Sequence, residues 1–364
     1  MEKKSWIGLD KIILIIGLII YGTGFSLLYI IFAPLSRSIG LSTNQFGILI
    51  AISNVVLVFS SYFWGKKSQS IGRKPVFVIR LLYGGLIGGI QPAATAYMTD
   101  STDANTRIKG MALIGMASGI GTMIGPIIGG ALVFIHPIFP MYFGAGIAVL
   151  GGILAMIFLI EPLKQAPVSE PVNLKFYDKR IMPYLIGWAL VFLVFTSTQV
   201  IAAFFIEDQL GVSTQSEIIK ATSISLLSMA LTTTLMQAVV LQIINVSPRT
   251  LLRLCFFIFG AVLFVIPMVK SLGYFYLSFA GIGIAFSMVT PGLNSAATLS
   301  VETHEQGEVA GLLAAAPVVG MIFGPAIGAL LYTADPGYPF LFGSLIAIAL
   351  GIYFQFLKIP KTEH

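Results

Sequence analysis

Charged residues are scarce in this sequence. Only 10% of the 364 residues are Asp, Glu, Lys or Arg, whereas soluble globular domains carry about 25%. Hydrophobic residues make up 57% of the chain, and its mean hydropathy is +0.93. So few charges cannot cover a surface in water, which excludes a water-soluble fold. We therefore expect a chain that lies mostly in a lipid bilayer.

Cysteine and histidine are also rare. The single cysteine, Cys255, excludes an internal disulfide framework, and the three histidines lie far apart in the sequence. We expect no metal site and no cofactor, and no catalytic triad or nucleotide-binding loop predicts an enzyme. Basic residues occur in short clusters between apolar runs, so nucleic acid is not an expected partner.

Long apolar runs predict an all-α, polytopic membrane protein. A spanning helix needs about 20 apolar residues, and continuous runs exclude a transmembrane barrel, whose strands alternate polar and apolar residues. A polar break at 161–182 contains three of the 18 prolines and separates an N-terminal bundle (1–160) from a C-terminal bundle (183–364). The eleven predicted spans cover residues 12–34, 46–64, 80–99, 110–134, 140–160, 183–206, 219–244, 254–269, 273–298, 309–333 and 338–358.

The two halves of the sequence repeat each other. At an offset of 199 the matched pairs include Gly84 and Gly283, Pro92 and Pro291, and Gly125 and Gly324. Earlier in each half, residues 40–43 match residues 211–214 at an offset of 171. The difference of 28 residues equals about one span plus a loop. The first half is therefore predicted to lack its third helix.

The basic residues support a chain derived from twelve spans. With the missing helix restored, the only Lys and Arg residues in external loops are Arg37, Lys220 and Lys270. Eleven alternating spans would instead put more basic residues outside than inside. The later loops regain their twelve-span orientation in one of three ways. Residues 75–99 enter and leave the membrane on one side, residues 65–79 lie outside, or residues 46–64 do not span. We expect the other helices to keep twelve-helix positions, with the third position empty and a cytoplasmic N-terminus.

Several segments resemble the major facilitator superfamily, in particular its drug:proton antiporters of the tetracycline-efflux and multidrug type. Residues 65–74 resemble the family loop between helices two and three, although Gln69 stands where the family has Asp. Residues 80–100 resemble the fourth family helix, 121–130 the exporter motif of the fifth, and 307–329 the eleventh. The small and proline residues of this antiporter motif are Gly121, Gly125, Pro126, Gly129, Gly130, Gly320, Gly324, Pro325 and Gly328.

The resemblance implies a multi-pass transporter of the cell membrane, monomeric, with two bundles that rock about a central cavity. It implies export of small amphiphilic molecules by alternating access, in exchange for protons. Two alternatives stay open. One is an exporter of a siderophore or another endogenous metabolite. The other is a non-transporting deletion variant, or a gene-model truncation, of such a transporter.

Polar residues inside spans are the candidate substrate contacts, because they are costly in lipid and tend to face a cavity or another helix. They are Asn54, Gln91, Thr95, Gln199, Gln237 and Asn294. Each also fits an ordinary hydrogen bond between helices.

Candidate residues for proton coupling and gating lie at span ends. They are Arg73, Arg80, Asp100, Asp103, Glu207, Asp208 and Glu302. The resemblance places Arg80 near the proton path, but an interfacial position fits equally well. No acidic residue lies mid-span, and a solvated helix end is an alternative for each carboxylate. Asp103 and Glu302 correspond at the offset of 199 and are candidates for gate ion pairs with Arg107.

Overall fold

The computed structural model describes residues 8–82, 90–101, 138–161, 177–236, 247–302 and 305–357, together with scattered positions between 113 and 136. Within these residues every regular element is a helix. Eight helical segments are long and apolar enough to cross a membrane: Leu9–Leu27, Phe139–Phe158, Met182–Leu210, Gln215–Leu235, Pro248–Met268, Leu272–Leu299, Ala315–Ala334 and Tyr338–Phe356. Each corresponds to one of the predicted spans.

The chain divides into two compact units. Unit 1 comprises the described parts of residues 1–32 and 53–168, and unit 2 those of 33–52 and 169–364. Unit 2 thus includes a short piece of the N-terminal half of the sequence.

Unit 1 contains most of α1 (Leu9–Ser38) and α2 (Thr43–Ile71). It continues with α3 (Arg73–Leu82), α4 (Ile90–Asp100) and α5 (Phe139–Phe158). The first two helices have 30 and 29 residues, which makes each about 45 Å long. The described parts of α3 and α4 have 10 and 11 residues, which makes each about 15 Å long.

The helices α3 and α4 form an antiparallel hairpin. The Arg73 side chain at the start of α3 lies 2.8 Å from the Asp100 carboxylate at the end of α4. One continuous helix would separate these residues by about 40 Å. Arg73 and Asp100 therefore lie at the same end of unit 1.

The hairpin is held by apolar packing against α1 and α5. Phe77 and Leu81 of α3 are buried, and a Cβ atom on Gly17 of α1 would come within 2.8 Å of the Phe77 ring. A Cβ atom on Gly151 of α5 would lie 3.2 Å from Leu81. Glycines at these two positions let the neighbouring helices approach α3 closely.

The described helices differ from the predicted single span over 80–99, because Arg80 lies on α3, whereas Gln91 and Thr95 lie on α4. The role near the proton path that the resemblance implies for Arg80 stays a prediction.

The described part of α4 corresponds, at the offset of 199, to the last 11 residues of the helix Leu272–Leu299 in the second half. Residues 83–89, which correspond to earlier residues of that helix, lie outside the described residues. The absence of the third helix from the first half therefore stays a prediction.

The end of α4 lies close to the start of α1 and to the end of α5. The Tyr97 hydroxyl near the end of α4 donates to the carbonyl oxygen of Ile160, just after α5, at 2.5 Å. The same hydroxyl lies 3.3 Å from the carboxylate of Asp10, at the start of α1. These contacts favour the first of the three arrangements considered above, which stays a prediction.

Unit 2 contains residues 33–52 and six described helices. These are α6 (Met182–Leu210), α7 (Gln215–Leu235), α8 (Pro248–Val265), α9 (Leu272–Leu299), α10 (Gln306–Ala334) and α11 (Tyr338–Phe356). The core that joins α6, α8, α9 and α11 includes Trp188, Phe256, Leu293 and Phe354. It holds the polar and aromatic residues of α6 and α9 in fixed positions.

Candidate functional site

Glycines of the antiporter motif lie where helices approach most closely. In unit 2, a Cβ atom on Gly320, Gly324 or Gly328 of α10 would clash with α6, at the backbone of Ala189 and Leu193 or the hydroxyls of Thr196 and Ser197. In unit 1, Gly121 and Gly125 meet the backbone of α1 in the same way. Gly129 is also buried, Pro325 lies within α10, and Pro126 and Gly130 lie outside the described residues. The motif thus forms helix contacts in each unit.

An aromatic and amide wall lies on α6 and α9. The Trp188 indole donates to the Asn294 side-chain oxygen at 3.0 Å. The rings of Phe192, Phe195 and Phe286 form a triangle with centroid separations of 5.7, 5.8 and 4.7 Å. These three rings and Asn294 are half-buried. We call these five residues the aromatic wall.

Two more polar residues extend the aromatic wall. Gln199 lies one turn beyond Phe195 on α6, and Thr290 lies between Phe286 and Asn294 on α9, and both are half-buried. Flat rings, two amides and a hydroxyl make a surface that can hold an apolar or aromatic molecule and orient a polar group on it.

A charged cluster joins the end of α1 to α6 and α10 within unit 2. The Arg37 guanidinium lies 2.7 Å from the carboxylates of both Glu207 and Asp208. The Tyr332 hydroxyl donates to the Asp208 carboxylate at 2.8 Å. The Phe204 ring lies under the guanidinium, 4.7 Å from centroid to Cζ. We call these five residues the Arg37 cluster.

Tight packing surrounds the Arg37 cluster. The Phe46 ring of α2 contacts Phe204 with centroids 5.7 Å apart. A Cβ atom on Gly47 would lie 2.6 Å from the carbonyl oxygen of Pro325. Residues 33–52 are therefore fixed to α6 and α10 by both charge and close contact.

The base of the α3–α4 hairpin holds a second group of charges. The Arg73 and Asp100 side chains are only 17% and 20% exposed, and they pair at 2.8 Å. The Glu161 carboxylate accepts the backbone N–H groups of Arg73 and Lys74 at 2.5 and 2.8 Å, which caps the start of α3. Gly72, with φ of +104°, makes the turn before it. Here the residue after α5 supplies a carboxylate, whereas Gln69 stands at the position of the expected one.

A third ion-pair group lies outside the spans. Arg180 pairs with Asp178 at 2.8 Å and with Glu305 at 2.9 Å. The hydrogen bond from Arg180 lowers the pKa of Asp178, and the two carboxylates raise the pKa of Arg180. This group links the residues before α6 to the start of α10.

The remaining predicted residues are dispersed. Asn54 is buried on α2, and Thr95 is half-buried on α4. The Glu302 backbone N–H donates to Glu305 at 2.9 Å, and Glu302 is itself exposed. Gln237, Asp103 and Arg107 lie outside the described residues, as do the side chains of Arg80 and Gln91. In the part of the chain that the structure describes, no group of three His, Cys, Asp or Glu residues is placed to hold a metal ion.

Several residues of these groups were missed by sequence reasoning. Trp188, Glu161, Arg180 and Tyr332 have no motif of their own. For Tyr332 a signal was available, because it lies four residues after Gly328 and so shares the face of α10 that meets α6. Glu161 carried no such signal, since its partner lies 88 residues earlier in the chain.

Comparison with known proteins agrees with this architecture. The sequence profile of the Major Facilitator Superfamily matches twice, over residues 76–316 and 221–364. Multidrug resistance protein 1 of Bacillus subtilis is 26% identical, with 97% of this chain and 96% of that protein covered. Tetracycline resistance protein, class B, of Escherichia coli is 24% identical, with 88% and 86% covered.

Solved structures share the fold. The human organic anion transporter MFSD10 (TETRAN) superposes with a TM-score of 0.68 at 19% identity, covering 95% of this chain and 99% of that one. A bacterial homolog of the human lysosomal transporter Spinster gives 0.72 at 14% identity, covering 97% and 95%. The chain, a multi-span membrane transporter, therefore belongs to the major facilitator superfamily.

Proposed function

We propose that this protein exports small amphiphilic molecules, in particular ones with a flat aromatic part, across the cell membrane in exchange for protons. The observation that carries the proposal is the aromatic wall. Its rings offer apolar contact to many substrates, and Asn294 offers one polar contact, which suits broad rather than narrow selection. The multidrug and tetracycline resistance proteins among its relatives support the same substrate class.

Proton coupling is assigned to the Arg37 cluster. One guanidinium is shared by two carboxylates, so the cluster keeps one uncompensated negative charge. A proton on either acid removes that charge and weakens the hold of Arg37 on α6. Release of residues 33–52 from α6 and α10 then opens a path for the substrate at this end of the protein. Deprotonation closes that path, as alternating access requires.

The orientation follows from the basic residues. With the α3–α4 hairpin returning on its own side, the N-terminus, residues 65–74 and the 161–182 linker all lie in the cytoplasm. The Arg37 cluster then lies at the outer surface, where protons enter. We infer a monomer, since each unit has its own core.

The substrate part is tested by efflux of an aromatic cationic dye such as ethidium from cells without other pumps. Phe286→Ala removes a ring worth about 1 kcal/mol, so we expect a roughly fivefold weaker apparent affinity. Phe264→Ala is the matched control, because Phe264 is half exposed on the outside of α8. Equal effects of the two variants would contradict the role of the aromatic wall.

The coupling part is tested in everted membrane vesicles. We expect Asp208→Asn to abolish dye accumulation driven by a pH gradient while downhill dye movement continues. Arg180→Gln, in the exposed ion-pair group, should leave both unchanged. If Asp208→Asn and Glu207→Gln each keep gradient-driven accumulation, the coupling proposal is wrong.

The 28-residue difference between the two repeat offsets favours a second candidate, a chain that inserts but does not transport. Loss of about one span would expose the packing faces of its neighbours. This candidate predicts a folded, membrane-inserted protein that moves no substrate in any direction. Dye efflux by the wild-type chain in the first assay would exclude it.

A further inference from the structure

Two arginines of α8 have no carboxylate partner among the residues that the structure describes. Among the described arginine side chains, Arg37, Arg73 and Arg180 each pair with a carboxylate. Arg249 and Arg253 have no such pair within the part of the chain that the structure describes. They lie one turn apart near the start of Pro248–Met268, the most apolar of the eight candidate spans.

The surroundings of Arg253 leave its charge uncompensated. Its Nη2 group donates to the backbone carbonyl of Gln355 in the last turn of α11, at 2.9 Å. Its Nε atom is buried and has no hydrogen-bond partner. Charged residues in membrane spans pair with opposite charges or with backbone carbonyls, and a carbonyl supplies only a partial negative charge. Among the described residues no carboxylate pairs with Arg253, so an anion from outside the described chain can compensate its charge.

An apolar strip continues from the two arginines. Phe257 follows Arg253 by one turn on α8, and its ring would lie 3.3 Å from a Cβ atom on Gly351 of α11. Beside it, Leu254 is 48% exposed, and Phe356 of α11 is 82% exposed. The surface therefore has two arginines at one end of the span and apolar side chains next to them.

We propose that Arg249 and Arg253 bind the phosphate of an anionic phospholipid, whose acyl chain lies along Phe257, Leu254 and Phe356. The phosphate supplies the charge that Arg253 lacks, and Arg249, exposed and one turn nearer to the helix start, supplies the second contact. A free phosphate ion would use the arginines but not the apolar strip, which favours the lipid as the source. The bound lipid then joins α8 to the end of α11.

The experiment measures lipid binding to the purified full-length chain, by native mass spectrometry and by thermal unfolding in detergent. Phosphatidylglycerol is compared with phosphatidylcholine of the same acyl chains. Each arginine is expected to make one contact with the phosphate. Loss of one contact in Arg249→Gln should weaken phosphatidylglycerol binding roughly fivefold, and loss of both in Arg249→Gln/Arg253→Gln should weaken it about 25-fold. Phosphatidylcholine binding should not change.

Three comparisons separate the proposal from its alternatives. Lys270→Gln removes an exposed charge from the opposite end of α8 and should leave binding unchanged. Arg253→Lys keeps the charge and should retain most of the binding, so it separates loss of charge from loss of folding. Inorganic phosphate should not compete at the concentration at which phosphatidylglycerol binds.

Equal binding of the two lipids, or an unchanged double variant, would overturn the proposal. Competition by inorganic phosphate as strong as by the lipid would overturn the lipid as the source. No transport is measured, so these outcomes are independent of the proposed efflux function.

Discussion

The α3–α4 hairpin predicts a short distance between two positions that are far apart in sequence. Lys74 and Ser101 flank the Arg73–Asp100 ion pair, whose side chains are 2.8 Å apart. Spin labels on Lys74→Cys and Ser101→Cys should therefore lie less than about 25 Å apart, whereas a single helix of 27 residues would separate them by about 40 Å. Cys255→Ser is a suitable background, because Cys255 is the only cysteine and its Sγ already hydrogen-bonds the Leu252 carbonyl.

Pulsed electron paramagnetic resonance of the labelled protein in nanodiscs gives the distance. A control pair on Tyr274→Cys and Leu299→Cys lies on the continuous helix α9 and should give about 38 Å. A distance near 40 Å for the hairpin pair would refute the hairpin. The same fold predicts that a reporter fused after the last residue lies on the side of the N-terminus.

Two further predictions concern helix packing and pH. Gly324→Leu should reduce the free energy of unfolding by about 1–3 kcal/mol, because its side chain must displace α6 at Thr196, whereas Gly273→Leu should have little effect because nothing lies within 4 Å of its Cβ position. Unfolding in mixed detergent and denaturant measures both, and equal losses would contradict the packing argument. Because Arg180 lowers the pKa of Asp178, their contact stabilises the folded state at neutral pH and is lost as the pH falls below about 4. Asp178→Asn should therefore lower the melting temperature more at pH 7 than in acid, where the Asp178 carboxylate becomes protonated, and a constant difference between the two proteins would contradict this sign.

Much of the architecture was accessible from the sequence because lipid imposes a simple rule. Backbone groups in the bilayer must be satisfied within a helix, so each apolar run of sufficient length predicts a span. The matched glycines and prolines, such as Gly125 and Gly324, predicted close helix contacts, and both lie where a Cβ atom would clash. Asn294 was a candidate polar residue, and it contacts Trp188 of another helix.

The functional groups were less accessible because their members are distant in sequence. Arg37 and Asp208 are 171 residues apart, and neither lies mid-span. Arg80 was assigned to the fourth family helix because its motif fits there, yet it lies on α3, whereas Gln91 of the same motif lies on α4. A motif match records residue order and carries no information on the direction of the chain.

The sequence by itself determined that this protein is helical, lies in a membrane and consists of two related halves. Composition, run length and the internal repeat are sufficient for these conclusions because each depends on local hydrophobicity or residue order. Only the tertiary structure brought the two ends of residues 73–100 together, since their composition fits one span or two arms. Packing of Phe77 and Leu81 against α1 and α5, closed by the Arg73–Asp100 ion pair, selects the two arms. Those contacts join residues far apart in the chain, and no local pattern records them.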